Sequence, residues 1–388
     1  MKNIAIIGTA AAGISAAKAV KKNDDSCKVQ VFTHEKENPY YRPYLTEYLW
    51  DTNVTSKSNF YLNPENWYEE NGIKLYKETK IVKIDKENKL LIDSNDNSYS
   101  YDKLIIATGA NPFVPIPGAI EKDFVFTVRS LEDAKIAETF SRNIKKAVVV
   151  GGGLLGLEAA WSLCRKGIKT TVIELSDRLL PIQLDKESSS FIKNAITSKG
   201  VEVFCNAATE SIDSEGEKNF VTLKDGTKIE TEMVLVSIGV RAEISLAKES
   251  GIAVGRGIVV NDKMETSAEG IYACGDCAEV IGCPPLWMPA SKQGTVAGTN
   301  AAGGEVRFEP AVYPAALNAF ETKLMSVGII SGDGVYDFSK TDDTSIKKLF
   351  FKDGKTVGAI VINDSAASAK ILNAVKTSET EENSKKII

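Results

Sequence analysis

The sequence predicts an α/β fold with two Rossmann-like (three-layer ββα) dinucleotide-binding domains, one inserted in the other, and a small α+β domain at the end. Three observations carry this prediction. A glycine-rich strand-to-helix turn occurs twice, an acidic residue follows each copy at the end of the next strand, and a third apolar strand ending in a carboxylate returns late in the chain. The predicted boundaries are 1–110 with 242–306 for the first nucleotide domain, 111–241 for the inserted one and 307–388 for the last.

The first glycine turn follows the apolar strand Ile4–Ile7, runs from Gly8 to Gly13 and has Glu35 as its acidic partner. A helix that begins at such a turn points its unpaired N–H groups and positive dipole end at a pyrophosphate, and the glycines let the backbone come close. Ala10 replaces the middle glycine, so we expect its methyl group to narrow the approach to phosphate. Taken alone, this pattern also fits an ordinary tight turn.

The second turn follows Val148–Val150, runs from Gly151 to Gly156 and has Glu174 as its partner. Two copies, each with an acidic residue ~20 residues further on, favour two bound dinucleotides over coincidence. A carboxylate accepts hydrogen bonds from an adenosine ribose and repels a 2′-phosphate. Glu174 therefore favours NADH over NADPH.

Length and charge exclude several classes of function. A chain of 388 residues suits two or three domains, and a net charge of −5 with acids interleaved among lysines is unlike a nucleic-acid footprint. Lys2 precedes an apolar stretch, but Gly8 and Gly13 indicate a phosphate turn there and not a secretory signal. No apolar run is long enough to cross a membrane. We expect a soluble cytoplasmic enzyme without nucleic-acid or membrane partners.

The six cysteines do not form the pattern of a secreted disulfide framework. They are Cys27, Cys164, Cys205, Cys274, Cys277 and Cys283. The last three form a C-x2-C-x5-C cluster that invites a redox or metal interpretation. A fourth ligand is missing nearby, and small buried cysteines are common in packed interiors, so we predict no metal site.

Turn residues divide the chain further. The proline-rich stretch 111–118 indicates a crossing between domains, and Asp225-Gly226 predicts a hairpin between Val221–Leu223 and Met233–Ser237. Pro289 predicts the start of a helix, and the charged, serine-rich segment 377–388 predicts a frayed tail.

Together the motifs make the chain resemble the pyridine nucleotide-disulfide oxidoreductases, flavoprotein reductases with two dinucleotide folds. The matching motifs, in the family's order, are the Gly8–Gly13 turn, Ala107-Thr108-Gly109, Gly151–Gly156 followed by Glu158, Ser237-Ile238-Gly239, and Tyr272–Asp276. The resemblance covers nearly the whole chain. It implies FAD in the first nucleotide domain and NADH in the inserted one.

The resemblance also implies roles for individual residues. For FAD, it implies that the pyrophosphate contacts Gly8, Ala12 and Gly13, and that the adenosine ribose contacts Glu35. The adenine region would contact Ile81, and the ribityl chain would contact Asp276 beside Gly275. Further FAD contacts would come from Arg42, Pro43, Arg129 and the Ala107-Thr108-Gly109 turn. For NADH, it implies that the pyrophosphate contacts Gly151, Gly153, Leu155 and Gly156, and that the ribose contacts Glu174. Gly239 would make a further contact, and Glu158 would lie close to the nicotinamide as the catalytic residue. The helix near Ala290 would point its positive end at the flavin.

The branches of this family differ in how electrons leave the flavin. Disulfide reductases use a cysteine pair with a C-terminal histidine, and other branches use one cysteine shortly after the first acidic residue. The only histidine here is His34, for which a structural or ribose-side role is expected, and residues 35–50 contain no cysteine. The resemblance therefore implies electron transfer without a thiol relay, to a separate acceptor.

Residues 39–47, residues 180–185 and the short C-terminal domain look most like the NADH:rubredoxin oxidoreductases. This implies a small rubredoxin-like electron carrier as partner and a monomer or weak dimer. The alternatives are an NADH oxidase that reduces oxygen, the flavoprotein component of a nitrite reductase or ferredoxin reductase system, and a non-enzymatic redox sensor. Trp287 and Met288 are candidate cover for the flavin, with a core role as the other interpretation.

One residue departs from the pattern of the relatives. Many of them have a lysine where Glu47 stands, paired with the glutamate equivalent to Glu158. Two carboxylates would repel each other unless a cation such as Arg42 intervenes.

Overall fold

The computed structural model describes all 388 residues. The α-helices are α1 (Ala11–Asn23), α2 (Leu45–Tyr48), α3 (Trp67–Glu70), α4 (Leu131–Ser141), α5 (Leu154–Arg165), α6 (Lys186–Ser198), α7 (Ser245–Glu249), α8 (Trp287–Ala301), α9 (Ser365–Lys376) and α10 (Glu381–Lys385). Short 3-10 turns cover Arg42–Tyr44, Thr52–Ser56 and Gly275–Cys277.

The strands are β1 (Asn3–Ile7), β2 (Lys28–Phe32), β3 (Ile73–Tyr76), β4 (Ile81–Asp85), β5 (Leu90–Asp93), β6 (Ser98–Ser100), β7 (Lys103–Ile106), β8 (Ala110–Pro112), β9 (Val125–Phe126), β10 (Lys146–Val150), β11 (Lys169–Ile173), β12 (Glu202–Phe204), β13 (Thr209–Glu215), β14 (Lys218–Leu223), β15 (Lys228–Thr231), β16 (Met233–Val236), β17 (Val240–Ala242), β18 (Ile258–Val259), β19 (Ile271–Ala273), β20 (Ala278–Glu279), β21 (Ala315–Ala319), β22 (Thr322–Gly328), β23 (Tyr336–Thr341), β24 (Ile346–Lys352) and β25 (Lys355–Ile362).

The chain forms two compact units, each made of three segments. The first unit contains Met1–Tyr44, Asn53–Asn111 and Val240–Pro310, and the second contains Leu45–Thr52, Pro112–Gly239 and Ala311–Ile388. The predicted α/β fold class is confirmed. The assignment of one ligand to each predicted domain stays a prediction.

A parallel five-stranded sheet in the order β19-β7-β1-β2-β3 is the centre of the first unit. Its inner strands are apolar on both faces, as helix-covered parallel strands require. The late strand Ile271–Ala273 pairs with β7, so the chain does return to this sheet after residue 241. A small antiparallel sheet, β4-β5-β6, is also part of this unit.

Helices α1 and α8 pack closely in the first unit because small residues face each other. A Cβ at Gly294 would lie 2.1 Å from the carbonyl oxygen of Ala12, and one at Gly298 would lie 2.2 Å from that of Ala16. Backbone therefore meets backbone along this contact. The start of α1, where the first glycine turn ends, is held in place by it.

The second unit contains another parallel sheet, in the order β12-β11-β10-β16-β9, and an antiparallel sheet, β21-β22-β25-β24-β23, on which α9 packs. Lys348 of β24 has only 4% of its side chain exposed, and its ammonium group donates to Asp185 at 2.7 Å and to Glu187 at 2.6 Å. Both acids lie at the start of α6. These two ion pairs, which share the buried Lys348, join the C-terminal sheet to the second nucleotide fold.

Three local predictions need correction. The hairpin at Asp225-Gly226 joins β14 to β15, because Met233–Val236 is an inner strand of the parallel sheet. Helix α8 begins at Trp287, two residues before Pro289, since the first-turn N–H groups lack helical partners and proline fits there.

The segment 377–388 is not a frayed tail. It forms α10, and the buried hydroxyl of Ser384 lies 2.6 Å from that of Thr356 in β25. No helix in the chain is both long enough and apolar enough to cross a membrane.

Candidate functional site

The first glycine turn closes against the end of a neighbouring strand. Gly8 has a φ of +114°, which side chains rarely adopt, and a Cβ there would lie 2.1 Å from the carbonyl oxygen of Ala107. A Cβ at Gly13 would lie 1.9 Å from the carbonyl oxygen of Gly8. Neither glycine can be replaced unless the backbone moves.

The second turn is built in the same way. Gly151 has a φ of +118°, and a Cβ there would lie 2.2 Å from the carbonyl oxygen of Ser237. A Cβ at Gly156 would lie 2.1 Å from the carbonyl oxygen of Gly151. Leu155, in the first turn of α5, has half of its side chain exposed. The predicted residues of each turn are therefore brought together.

The middle position of the two turns has the same backbone conformation in both. Ala10 and Gly153 precede α1 and α5 with nearly the same extended backbone, φ −82° and −81°. A Cβ at Gly153 would have no atom within 4 Å. The protein atoms around Gly153 therefore leave room for a methyl group, and the effect of the Ala10 methyl group on the approach to phosphate stays a prediction.

The two helix N-termini that follow are open to an anion. In both helices the N-cap residue has no side chain that accepts a hydrogen bond from a first-turn N–H, and the first turn contains no acidic residue. In contrast, α4 and α6 are capped by the side chains of Ser130 and Asp185. Free first-turn N–H groups beside a close backbone cradle fit the pyrophosphate of a dinucleotide.

The acidic partner of the first turn lies in a polar cluster. Glu35 follows β2, and its carboxylate accepts hydrogen bonds from the Tyr40 hydroxyl at 2.5 Å and from the Arg42 guanidinium at 2.5 Å. The structure thus brings two predicted residues, Glu35 and Arg42, together. Tyr40 was missed because only the folded chain shows that it contacts Glu35.

The acidic partner of the second turn is tied to the turn itself. One oxygen of Glu174 accepts the N–H of Gly152 at 2.7 Å, and the other accepts the N–H of Ser176 at 2.7 Å. The carboxylate is therefore fixed beside the glycines. Each oxygen keeps a second lone pair that can accept a ribose hydroxyl.

The Ala107-Thr108-Gly109 turn is anchored to residue 243. The Thr108 hydroxyl donates to the carbonyl of Glu243 at 2.9 Å, and the Glu243 N–H donates to the carbonyl of Gly109 at 2.9 Å. Gly109 has a φ of +75°, which favours glycine. This turn directly follows β7, and its first residue, Ala107, contacts the first glycine turn.

Gly275 and Asp276 lie where α1 and α8 approach each other. A Cβ at Gly275 would lie 2.8 Å from the Cβ of Ala12, and the Gly275 N–H donates to the side chain of Gln293 at 2.8 Å. Asp276 is half-buried beside them. The structure therefore groups Ala12, Gly275 and Asp276, and adds Gln293, a neutral residue that the sequence did not single out.

The start of α8 is a third open helix N-terminus in the first unit. Its N-cap residue, Leu286, makes no side-chain capping bond. Trp287 packs edge-on against the ring of Tyr41 at 4.7 Å, while Met288 is about half exposed. Trp287 is thus partly buried among aromatic rings, and Met288 is the more exposed of the two.

The four remaining predicted residues lie within or next to short elements of secondary structure. Ile81 begins β4 and is 5% exposed, and Pro43 is the centre of the 3-10 turn Arg42–Tyr44. Arg129 comes just before α4, and its backbone N–H donates to Asp133 at 3.0 Å. Gly239 has a φ of +106°, and its carbonyl accepts the N–H of Phe113 at 3.0 Å.

The predicted catalytic residue, Glu158, is held in place by a hydrogen bond from a residue of α2. The Thr46 hydroxyl donates to its carboxylate at 2.9 Å, and the Ser162 hydroxyl donates to the Thr46 carbonyl at 2.7 Å. Thr46 therefore connects two positions one turn apart on α5. Sequence reasoning missed Thr46, although its neighbour Glu47 was noted.

The environment of Glu158 favours its protonated form. Burial raises the pKa of the Glu158 carboxyl to about 7, the Thr46 hydrogen bond opposes this rise, and the charge of Glu47 adds to it. A lysine at position 47 would act in the opposite direction. The glutamate at this position therefore helps to keep a proton on Glu158 near neutral pH.

The cysteine cluster does not have the environment of a reactive centre. Cys274 and Cys277 are fully buried, and burial raises the pKa of both thiols. The side-chain amide of Gln293 donates to the sulfur of Cys283 at 3.3 Å, and burial raises the pKa of this thiol too. These surroundings favour packing over redox chemistry.

Comparison with known proteins gives the same family throughout. The family model of the pyridine nucleotide-disulphide oxidoreductases matches residues 2–294, and that of the rubredoxin NAD+ reductase C-terminal domain matches residues 314–379.

Three similar proteins illustrate the range of relatives. The NAD(P)H nitrite reductase of Bacillus subtilis is 34% identical over 99% of this chain, which spans only 48% of that relative. The NADH oxidase of Methanocaldococcus jannaschii is 32% identical over 94% of this chain and 88% of its own length. The crystal structure of NADH:rubredoxin oxidoreductase from Clostridium acetobutylicum has a TM-score of 0.80 and 32% identity, covering 98% of this chain and 96% of that one.

Proposed function

We propose that this chain, which belongs to the pyridine nucleotide-disulphide oxidoreductase family, is an NADH-dependent FAD oxidoreductase that passes electrons to a small rubredoxin-like iron protein. The observation that carries the proposal is the pair of matching glycine cradles, each with an uncapped helix N-terminus and an acidic residue shortly after the next strand. The match of residues 314–379 to the C-terminal domain of rubredoxin reductases supports the choice of acceptor.

FAD, when bound, supplies the chemistry that accepts a hydride and releases single electrons. We assign its pyrophosphate to the first turn, where Gly8 and Gly13 let the backbone close tightly and the N-terminus of α1 would attract an anion. Glu35, oriented by Tyr40 and Arg42, would accept the adenosine ribose hydroxyls. The remaining predicted contacts would come from Ala12, Pro43, Ile81, Ala107, Thr108, Gly109, Arg129, Gly275 and Asp276.

We assign NADH to the second turn. Gly151, Gly153 and Gly156 would hold its pyrophosphate, with Leu155 and Gly239 beside it, because the α5 N-terminus has no competing cap. Glu174 is fixed by two backbone N–H groups and would accept the ribose hydroxyls, and its charge would repel a 2′-phosphate.

Glu158 is assigned to the nicotinamide side of the NADH site. Because Thr46 fixes one of its oxygens and its pKa is about 7, its carboxyl can both donate and accept a hydrogen bond near neutral pH. A protonated Glu158 carries no charge that would favour a cationic nicotinamide over a neutral one. We therefore expect loss of this proton to strengthen binding of NAD+ more than binding of NADH.

The proposal is tested by steady-state NADH oxidation with rubredoxin, ferredoxin, oxygen and a disulfide as separate acceptors, at one ionic strength. We expect the highest kcat/KM with rubredoxin and almost none with the disulfide. A higher kcat/KM with a disulfide than with either iron protein would overturn the assignment.

A second candidate function is an NADH oxidase, favoured by the identity with the Methanocaldococcus jannaschii relative. Fast oxygen consumption by the holoenzyme without any iron protein would select it. A flavoprotein component of a nitrite reductase is a further possibility, since the chain spans about half of the Bacillus subtilis relative. We further propose a cytoplasmic location and a monomer or weak dimer.

A further inference from the structure

Two consecutive hydrogen bonds connect α5 to α2 and return to the proposed nicotinamide residue. The Ser162 hydroxyl donates to the carbonyl of Thr46 at 2.7 Å, and the Thr46 hydroxyl donates to Oε2 of Glu158 at 2.9 Å. Ser162 lies one helical turn after Glu158 on α5. We call these three residues the relay, and Thr46 is its only member outside α5.

The hydrogen bond of Ser162 fixes the backbone of Thr46. A serine hydroxyl inside a helix commonly bonds the carbonyl four residues earlier, which here belongs to Glu158. The Ser162 hydroxyl instead donates to a carbonyl of α2, and only 3% of this residue is exposed. Because this buried bond joins two helices, Thr46 cannot shift along α5 without breaking it.

Packing fixes the rest of α2 and the side chain of Thr46. Leu49, three residues after Thr46, is fully buried in the same apolar core as Leu157 and Leu163 of α5. Thr46 itself is 7% exposed, and its branched side chain restricts rotation about the Cα–Cβ bond. The Thr46 hydroxyl therefore has little freedom to move away from Glu158.

The relay gives the two oxygens of Glu158 different roles. Oε2 accepts the Thr46 hydroxyl, whereas Oε1 accepts no hydrogen bond within the protein. The residue is half-buried, and Oε1 is not sealed from the surface. A carboxyl group with one oxygen held and the other free can receive a single ligand group at Oε1.

One charged side chain acts on Glu158. Glu47 does so from α2, and the strands that pack on α5, which are β10, β11, β16 and β21, add no charged group. Burial raises the pKa of the Glu158 carboxyl, the Thr46 hydrogen bond lowers it, and the charge of Glu47 raises it again. The hydrogen bond from Thr46 is thus the interaction that favours the ionised form, which attracts a cationic nicotinamide.

We propose that Thr46 is a positioning residue for nicotinamide binding and that Ser162 acts on the same site through Thr46. This inference rests on the proposed function, in which Glu158 lies on the nicotinamide side of the NADH site. Thr46 needs no contact with the nucleotide, because it holds Oε2 and so limits the directions in which Oε1 can point. Loss of the Thr46 hydroxyl should therefore weaken contacts with the nicotinamide and leave contacts with the adenosine end unchanged.

The test compares NAD+ with ADP-ribose, which lacks the nicotinamide ring, by isothermal titration of the FAD-loaded protein at pH 8. At this pH the wild-type Glu158 carboxyl is mostly ionised, since its pKa is about 7. Thr46→Val has nearly the same shape and should weaken NAD+ binding by about fivefold, while the affinity for ADP-ribose changes by less than about twofold. Thr46→Ser keeps the hydroxyl and should restore most of the NAD+ affinity.

Ser162→Ala tests whether Ser162 acts through Thr46. The variant releases the Thr46 backbone but keeps the Thr46 hydroxyl, so NAD+ binding should weaken by about twofold. Combined with Thr46→Val, it should cause no further loss of NAD+ affinity. Additive losses would contradict the relay. Should Thr46→Val fail to fold, the ratio of NAD+ to ADP-ribose affinity in Ser162→Ala decides the same question.

Thr231→Val is the matched control for the loss of a buried hydroxyl. The Thr231 hydroxyl donates to the carbonyl of Met233 at 2.7 Å, outside the proposed NADH site, so the ratio of the two affinities should stay at the wild-type value. An equal change for NAD+ and ADP-ribose in Thr46→Val, or no change for either, would overturn the role of Thr46. Failure of the wild type to bind either ligand would instead overturn the proposed function.

Discussion

Replacing Glu158 with glutamine should make the protein more stable in alkaline solution and leave its stability in acid nearly unchanged. Glutamine has the shape of a protonated glutamic acid, and its oxygen can still accept the Thr46 hydrogen bond. The variant therefore preserves the low-pH form of the contact and removes the titration.

The size of the effect follows from the pKa of Glu158. The ordinary value for glutamic acid is 4.5, and burial raises it to about 7 in the folded chain. Because the folded form holds its proton more tightly than the unfolded form, wild-type stability falls as the pH rises from about 4.5 to about 7. With about 1.4 kcal/mol per tenfold change in acidity, the full loss is about 3 kcal/mol, and Glu158→Gln avoids it.

The assay is urea unfolding of wild type and Glu158→Gln without nucleotides, followed by circular dichroism from pH 4.5 to pH 8. The difference in unfolding free energy should be close to zero at the lowest pH and reach about 3 kcal/mol at the highest. Glu217→Gln, at an exposed turn, is the matched control and should follow the wild type throughout. A difference between Glu158→Gln and wild type that does not change with pH would show that folding does not raise the pKa of Glu158, and the reasoning would fail.

Three other substitutions are expected to have distinct effects. Gly156→Ala should raise the KM for NADH by about tenfold or more and lower the thermal midpoint. Gly153→Ala should leave the midpoint unchanged because its Cβ meets open space. Equal midpoints in the two variants would contradict the close backbone packing described for the second glycine turn. Glu174→Ala should reduce the preference for NADH over NADPH by about tenfold, since charge-assisted hydrogen bonds are lost, and unchanged kcat/KM ratios would refute its role. Lys348→Ala should cost about 2–3 kcal/mol in urea unfolding because two acids lose a buried partner, against about 1 kcal/mol or less for Lys347→Ala; similar losses would argue against the buried pair.

The fold was predictable because its main signals are local. Apolar strands followed by glycine turns mark both parallel sheets, and the return of Ile271–Ala273 to the first sheet follows from a motif that the chain repeats. The order of the antiparallel C-terminal sheet was not predictable, because β22 pairs with β25, which is not its neighbour in sequence, and no local pattern shows this pairing. The tail was misjudged for a related reason: its polar residues are ordered by contacts with β25 that only the fold provides.

The candidate site was predictable in its backbone and less so in its side chains. The positions of Gly8, Gly13, Gly151 and Gly156 follow from the geometry that a phosphate turn requires. The hydrogen bond from Thr46 to Glu158 joins residues far apart in sequence, so no spacing rule could find it.

The central claim is that this chain uses bound FAD to pass the two electrons of NADH to an iron carrier, which accepts them one at a time. The most direct measurement adds NADH to the FAD-loaded protein without oxygen, then adds oxidised rubredoxin, and follows flavin and rubredoxin absorbance throughout. Because a hydride carries two electrons and rubredoxin accepts one, the account predicts two rubredoxins reduced per NADH and flavin that bleaches before rubredoxin is added. A flavin that stays yellow under excess NADH would contradict it.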